Sequence, residues 1–282
     1  MEISSTAPTT PTATHDHRCV VFDDLAGFRA HAGGFLAEGI TDGQQVIYVG
    51  ADHPDRLAAD MAGVPGFRAA LRTGQASVAA LDSLYTLGQA FDPEQQVSVF
   101  ASTADAALRR GFTGLRVAAD ITALAADPAL AGGYARYEHL VDRFMSRRPV
   151  TGMCGLRRGT PDAATVTALA CLHPTVRSVQ VPFQLHSSAD AQVSAVLTGE
   201  IDTTSHRLFA ASLRHVDLPQ VDGHVVLDAR GLSFIDHRGL LHLADRLRAQ
   251  GATGTLLTAA HGEVLRILID LLDLGDLRVV TP

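Results

Sequence analysis

The sequence has 282 residues, an apolar fraction of 46% and a formal net charge of −7. This length is enough for two domains, because domains commonly span about 100 to 150 residues. The negative charge and the lack of a dense basic run argue against direct nucleic-acid binding. All 23 basic residues are arginine, which excludes Schiff-base chemistry and a phosphate loop that depends on lysine.

Three scattered cysteines do not form a disulfide framework, so we expect a reducing, cytoplasmic compartment. Residues 1–14 are rich in Ser, Thr, Pro and Ala, and we predict a disordered tail there. No stretch approaches 18 uninterrupted apolar residues, so we expect no membrane span.

The first half alternates short β-branched runs with amphipathic stretches, beginning as a βαβ unit. This pattern predicts a mostly parallel sheet covered by helices on both faces. Gly39 is expected to cap the first helix in a left-handed conformation. The predicted strands are 18–22, 46–49, 77–81, 115–118 and 152–156, and the predicted helices are 25–38, 54–61, 93–110, 128–147 and 162–172.

The order of these elements suggests a RecA-like or KaiC-like α/β layer. The first strand leads into Asp23 and Asp24 rather than a glycine-rich loop, which excludes nucleotide hydrolysis of that type. Several short segments resemble the MEDS domain, a sensory module linked with methylotrophs, methanogens and small hydrocarbon derivatives. The resemblance covers residues 15–178 and is carried by residues 17–19, 35–40, 46–49, 114–117, 137–138 and 154. Ala123 departs from it, since an aromatic residue is expected there.

His17 and Cys19 alternate on the first strand and so share one face, and Cys154 lies on a late strand that could run beside it. These three residues are our candidate metal ligands, because thiolates and imidazoles bind soft metals. With Tyr48 and Glu138 they are also the candidate small-molecule contacts, placed at the carboxyl ends of the strands. The alternative is ordinary core cysteine and a capping histidine. No pattern identifies a cofactor.

Two further residues, Cys171 and His173, end a predicted helix before Pro174. The simplest interpretation of this segment is helix termination, because the residue before a proline disfavours helical backbone.

The rhythm changes near residue 180, where we place a domain boundary before a smaller α/β unit. Its predicted strands are 193–197, 225–227, 255–258 and 277–280, and its predicted helices are 204–214, 238–248 and 264–271. Asp236 precedes an amphipathic helix and is a candidate N-cap.

Residues 197–202 and the turn from Phe234 to Leu240 resemble the STAS domain of anti-sigma-factor antagonists and anion-transporter tails. The resemblance covers residues 183–282 and implies a mixed-sheet domain with four helices. It also implies that a turn docks onto an anti-sigma factor or a serine-kinase-like partner, and this turn comprises Asp236, His237, Arg238, Gly239 and Leu240. Arg238 replaces the serine that is phosphorylated in some members, so we expect no phosphorylation there.

These features predict a non-catalytic, cytoplasmic signalling regulator that senses a small molecule or a partner and acts on transcription through protein contacts. Two alternatives remain open. The chain could be a scaffold with an empty sensory domain, or a cysteine-dependent enzyme that uses Cys19 or Cys154 with His17 or His173.

Overall fold

The computed structural model describes residues 15–85, 91–259 and 262–281, so the predicted disordered tail lies outside the described residues. Within these ranges, no helix has both the length and the apolar character needed to cross a membrane. The chain forms two α/β units, each built on its own six-stranded sheet.

The first sheet is parallel throughout, in the order β3-β2-β4-β5-β1-β6. Its strands are β1 His17–Phe22, β2 Gln45–Gly50, β3 Ala76–Ala80, β4 Leu115–Asp120, β5 Val150–Arg157 and β6 Thr175–Arg177. Its helices are α1 Leu25–Thr41, α2 Pro54–Asp60, α3 Phe67–Thr73, α4 Leu81–Leu84, α5 Pro93–Arg109, α6 Thr122–Ala126, α7 Ala131–Met145 and α8 Ala163–Ala170. The predicted parallel sheet is therefore confirmed.

Each face of this sheet has its own apolar core. One core joins alternate strand residues to α1, α2 and α3, and includes Phe28 and Tyr48. The other joins the remaining strand residues to α5, α7 and α8, and includes Val49 and Tyr134. Because successive strand side chains point to opposite faces, Tyr48 and Val49 lie in different cores.

The first strand leads directly into α1, whose N-cap is Asp24. Its Oδ1 accepts a hydrogen bond from the Gly27 amide at 2.8 Å, so a carboxylate occupies the place where a phosphate loop would bind an anion. The prediction for Gly39 is wrong, because α1 continues to Thr41. A Cβ on Gly39 would lie 2.7 Å from Arg116 Cδ, so close packing requires this glycine rather than a helix end.

The second sheet has the order β10-β8-β9-β11-β12, and β7 pairs antiparallel with β8. Its strands are β7 Phe183–His186, β8 Ala195–Ile201, β9 His224–Asp228, β10 Leu232–Ile235, β11 Thr253–Leu257 and β12 Leu277–Val280. Its helices are α9 His206–His215, α10 His237–Ala249 and α11 Gly262–Leu271. The described part of this unit thus has three helices, not the four that the STAS resemblance implies.

Helix α10 begins as predicted. Asp236 is its N-cap, and Oδ1 accepts from the Gly239 amide at 2.8 Å. A Cβ on Gly239 would lie 2.7 Å from Ile235 Cγ1, so this position fits only a residue without a side chain. The N-terminus of α10 is therefore packed tightly onto β10.

The chain passes from the first sheet to the second between Arg177 and Phe183, close to the predicted boundary. Residues 183–186, at the start of the predicted second unit, form strand β7, which was not among the predicted strands. The Leu185 amide of β7 donates to the Cys171 carbonyl at 2.8 Å. Because β7 follows the first unit directly and pairs with β8, the two units are joined without a long connector.

Candidate functional site

A cavity of about 170 Å³ lies between the first sheet and helices α5 and α7. Its wall is mainly apolar, with contributions from the strands and from both helices. These apolar side chains are Ile47, Val49, Ala79, Val99, Phe100, Val117, Ala119, Ile121, Tyr134, Tyr137, Val141 and Met145. A cavity of roughly 150 Å³ is enough to hold a benzene-sized molecule. The space therefore fits a small, largely apolar ligand.

The polar residues of the wall are His17, Ser77, Gln96, Thr103, Glu138 and Cys154. Three of them, His17, Glu138 and Cys154, lie together at one end of the cavity. They come from the start of β1, the middle of α7 and the middle of β5. The register pairs His17 with Gly152, and a Cβ at Gly152 would lie 2.6 Å from Met145 Cε. The missing side chain thus leaves room for the Met145 side chain of α7, with His17 Cδ2 next to it, 3.4 Å from the same Cβ position.

His173, from the loop after α8, completes a group of four whose ligand atoms all lie within 4.8 Å of one another. Oε2 of Glu138 is at the centre of the group. It lies 3.4 Å from Nε2 of His17 and 3.3 Å from Nε2 of His173. The Cys154 thiol donates to Oε1 of Glu138 at 3.4 Å, and its Sγ lies 3.7 Å from Nε2 of His17. We call these four residues the polar cluster.

A second carboxylate fixes the orientation of His17. Nδ1 of His17 donates to Oδ1 of Asp142 at 2.9 Å, so its Nε2 points into the polar cluster. Asp142 also hydrogen-bonds to His15, and its Oδ2 accepts from the Ser187 amide at 2.7 Å. Since Ser187 follows β7, Asp142 connects the polar cluster to the second unit.

A backbone carbonyl fixes His173 in the same way. Nδ1 of His173 donates to the Leu169 carbonyl at 2.9 Å, which leaves Nε2 pointing at Glu138. This Nε2 is buried and makes no well-aligned hydrogen bond within the described residues, so its contact there is the ion pair with Glu138 Oε2 at 3.3 Å. The imidazole therefore directs this nitrogen at the polar cluster.

Burial and pairing shift the protonation of these groups in opposite directions. Burial lowers the pKa of His17, but hydrogen bonds with Asp142, Cys154 and Glu138 raise it well above the ordinary value. Burial and the charge of His17 lower the pKa of His173, but contacts with Cys154 and Glu138 raise it to about 9. Burial raises the pKa of Glu138 and of Asp142, and the histidines outweigh this and lower both. Without a metal, the site is a buried ion network.

Comparison with known families matches residues 16–174 to MEDS, the MEthanogen/methylotroph, DcmR Sensory domain. The match covers more than half of the chain. The chain belongs to the MEDS family. A search of curated proteins gave no match. The predicted MEDS resemblance is thus confirmed, and the family's description supports a role in sensing.

The MEDS domain brings together only some of the residues that we predicted for its site. His17, Glu138 and Cys154 meet, since β1 and β5 are neighbours. The group lies over the sheet, at the amino end of β1, and not at the carboxyl ends of the strands as expected. His173 belongs to it as well, although the sequence suggested only helix termination.

Two predicted site residues of the MEDS domain lie elsewhere. Cys19 is on the same face as His17 but belongs to the apolar core with Leu169, and burial raises the pKa of its thiol well above the ordinary value. It is not part of the polar cluster. Tyr48 is on the opposite face, beside a second cavity that Ala123 also lines. Strand alternation explains this placement, because only the neighbours of Tyr48 face the first cavity.

Helix α7 contacts the cavity on one face and the second unit on the other. One face carries Tyr134, Tyr137 and Glu138 into the cavity. On the other, Arg136 pairs with Asp217 of the second unit at 3.0 Å, and Nε2 of His139 donates to the Asp217 carbonyl at 2.9 Å. Asp142 adds the bond to Ser187. The same helix therefore contacts both the cavity and the second unit.

The predicted docking turn of the second unit is at the surface. His237 and Arg238 are exposed, and Phe234 just before them is 52% exposed. Asp236, Gly239 and Leu240 are buried, so they support the turn rather than present it. The exposed part combines an aromatic ring, an imidazole and a guanidinium.

Proposed function

We propose that the chain is a non-catalytic signalling protein in which the MEDS domain binds a small, largely apolar molecule and helix α7 relays that binding to a protein-docking second unit. The observation that supports this most directly is that α7 lines the cavity with Tyr134, Tyr137 and Glu138 while Arg136, His139 and Asp142 contact the second unit. A ligand that moves α7 would therefore change both the cavity wall and the contacts with the second unit.

The chemistry of the cavity supports the ligand class. Its size suits a molecule of about the volume of benzene or smaller. Its wall is mainly apolar, with Ser77, Gln96 and Thr103 as polar residues besides His17, Glu138 and Cys154 at one end. A small hydrocarbon derivative with one polar atom matches this arrangement, because its polar atom would face His17, Glu138 and Cys154. The family's link with methanogens and methylotrophs agrees with a one-carbon or similarly short molecule.

The second unit supports a docking role of the STAS type. Its one antiparallel and several parallel pairings form a mixed sheet, and the motif at residues 236–240 begins a helix. With Arg238 at the usual serine position, the turn has no serine there to phosphorylate. A guanidinium also meets the positive end of the α10 dipole unfavourably, so it favours an acidic partner surface. The partner that we propose is an anti-sigma factor or a serine-kinase-like protein, through which the chain regulates transcription.

Hydrogen exchange with a panel of small probes tests ligand binding and coupling together. The panel contains benzene, short alcohols and halogenated hydrocarbons of one to four carbons. We expect a binding probe to protect amides of α7 and of residues 183–193, while α11 exchanges unchanged. Ala79→Leu fills the cavity and removes the effect, whereas Ala123→Leu, which faces the second cavity, retains it. Protection confined to the MEDS domain would refute the coupling.

Charge reversal tests the docking turn. Arg238→Glu should weaken binding to a purified anti-sigma factor or serine kinase by at least tenfold, because an exposed guanidinium becomes a carboxylate facing an acidic surface. Arg207→Glu makes the same change on the exposed surface of α9 and should leave binding unchanged. Equal effects of both variants would indicate a general charge effect and contradict the assigned turn.

One observation favours a second candidate, a cysteine-dependent enzyme. Cys154, His17 and Asp142 stand in the order of a nucleophile, a base and an orienting carboxylate. The thiol of Cys154 also donates a hydrogen bond to Oε1 of Glu138 at 3.4 Å, an acceptor outside that arrangement. Rapid alkylation of Cys154 by iodoacetamide at neutral pH in metal-free protein would favour the enzyme, and slow alkylation would favour the sensor.

A further inference from the structure

We propose that His17, Glu138, Cys154 and His173 bind one divalent transition-metal ion of the zinc class at the end of the MEDS cavity. This inference rests on the geometry of the polar cluster and not on small-molecule sensing, so metal binding and ligand binding can succeed or fail separately. It differs from the sequence-based prediction by replacing Cys19 with Glu138 and His173.

The spacing of the four ligand atoms fits a tetrahedral ion. Metal–ligand bonds of about 2.0–2.3 Å place neighbouring ligand atoms about 3.3–3.8 Å apart in a tetrahedron. The measured separations from Oε2 of Glu138 to the two imidazole nitrogens are 3.4 and 3.3 Å. The sulfur of Cys154 lies 3.6 Å from the same Glu138 Oε2 and 3.7 Å from His17 Nε2. These four separations fall within that range, and all four ligand atoms lie within 4.8 Å of one another.

The surrounding hydrogen bonds are those that metal-binding histidines use. A histidine ligand almost always donates its other ring N–H to a carboxylate or a backbone carbonyl, which fixes its tautomer and aims its free nitrogen. His17 donates Nδ1 to Asp142, and His173 donates Nδ1 to the Leu169 carbonyl. Both Nε2 atoms therefore present lone pairs to Glu138 and Cys154 when the rings are neutral.

The buried Nε2 of His173 points to the same conclusion. This side chain is fully buried, and its Nε2 makes no well-aligned hydrogen bond within the described residues, although Glu138 Oε2 lies 3.3 Å away. A poorly satisfied polar atom in such a place carries a free-energy penalty. Two bound protons could satisfy the imidazoles instead, giving a pure ion network of two histidines and two carboxylates. A metal ion satisfies all four ligand atoms at once, including the sulfur, which protonated imidazoles serve poorly.

The ligand types decide the class of metal. One thiolate, two imidazoles and one carboxylate suit zinc, cobalt or ferrous iron, whereas magnesium and calcium prefer oxygen ligands throughout. Three of the four ligands border the cavity, and His173 approaches from behind. A bound ion would thus be reached from the cavity on one side, where a donor atom of a small molecule can approach it.

Cobalt(II) titration of the full chain, after chelator treatment, tests the proposal through its optical spectrum. We expect one Co²⁺ per chain, visible bands of tetrahedral intensity and a sulfur-to-cobalt charge-transfer band in the near ultraviolet. One equivalent of Zn²⁺ should displace the cobalt and remove all of these bands.

Variants locate the site. Cys154→Ser should abolish the charge-transfer band, and His173→Gln should lower Co²⁺ affinity by at least a hundredfold. Cys171→Ser and Cys19→Ala are matched controls in buried cysteines outside the cluster, and both should keep the band and the affinity. Circular dichroism of each variant separates a lost site from a lost fold.

The cobalt titration of the wild-type chain can overturn the proposal by itself. The test therefore does not require that every variant folds. Failure of the wild-type chain to bind Co²⁺ or Zn²⁺ stoichiometrically would show that the cluster is only an ion network. A charge-transfer band that survives Cys154→Ser but disappears in Cys19→Ala would show that the metal binds elsewhere. Retention of the metal alongside an absence of ligand binding would support this site and contradict the proposed sensing.

Discussion

The two units place their polar chemistry in opposite locations. In the MEDS domain, His17, Glu138 and His173 are fully buried beside an apolar cavity. In the second unit, His237 and Arg238 of the docking turn are exposed over a core of apolar side chains. Burying charge costs free energy unless each group is paired, whereas an exposed charge costs little. The first unit therefore encloses its charged groups, and the second exposes them to solvent.

The largest expected loss of stability follows from removing the central charge of the polar cluster. Glu138→Gln leaves the imidazoles of His17 and His173 buried without the carboxylate that they share, and breaking a buried ion network costs about 3–5 kcal/mol. We expect that loss in the free energy of unfolding of the metal-free protein, measured by urea denaturation. Glu94→Gln, an exposed partner of Arg136, should change it by less than about 1 kcal/mol. Equal losses would remove the contrast between buried and exposed charge.

A smaller effect is expected from the residue that orients His17. Asp142→Asn preserves the shape of the side chain but weakens its hold on Nδ1, and such outer contacts change metal affinity by about 10- to 100-fold. Competition between the protein and a coloured chelator for Zn²⁺ measures this. Asp105→Asn, which removes an exposed partner of Arg148, is the control. Unchanged affinity in the Asp142 variant would mean that His17 is not a ligand.

In the second unit, removing a helix cap should cost less stability than removing the buried charge in the first. Asp236→Ala removes the N-cap of α10 and should lower the free energy of unfolding by about 1 kcal/mol. Arg238→Ala, two residues further on and exposed, should stay within about 0.5 kcal/mol. Chemical denaturation of both variants provides the comparison. A larger loss for Arg238→Ala would assign this residue a structural role in place of docking.

The sequence predicted what depends on local pattern. The longer strands and helices of both units, the Asp236 cap and the neighbouring positions of His17 and Cys154 follow from periodicity and from parallel pairing. The shorter elements α3, α4, α6, β6, β7 and β10 were not predicted, because so few residues show no clear period. The prediction for Gly39 was wrong because sequence alone does not distinguish a glycine needed for close packing, here against Arg116, from a glycine that ends a helix.

The rest of the site depends on tertiary contacts. His173 lies in a loop after α8, and nothing local shows that this loop returns beneath Glu138. Tyr48 was placed in the site although strand alternation sends it to the other face. Strand alternation could instead have predicted its neighbours Ile47 and Val49 as cavity residues, since both line the cavity.

The smallest expected effect concerns pH at the junction where the two units meet. Nε2 of His139 donates to the Asp217 carbonyl, and its Nδ1 is buried without a hydrogen bond in the described structure. Burial lowers the pKa of His139; Arg143 also lowers it, while Asp142 and Asp217 act against this. The unfolded chain therefore takes up a proton below about pH 6.5 that the folded chain refuses, so this contribution to stability is lost as pH falls.

His139→Gln keeps a donor for the Asp217 carbonyl but cannot titrate. We expect the variant to lose less stability than the wild type between pH 7 and pH 5, by a small fraction of the limit of about 1.4 kcal/mol per pH unit that one proton allows. Urea denaturation at several pH values measures the slope, and His31→Gln, an exposed position on α1, should match the wild type. Parallel slopes in all three proteins would show that the junction does not respond to His139, and that the buried ion network alone sets the pH dependence.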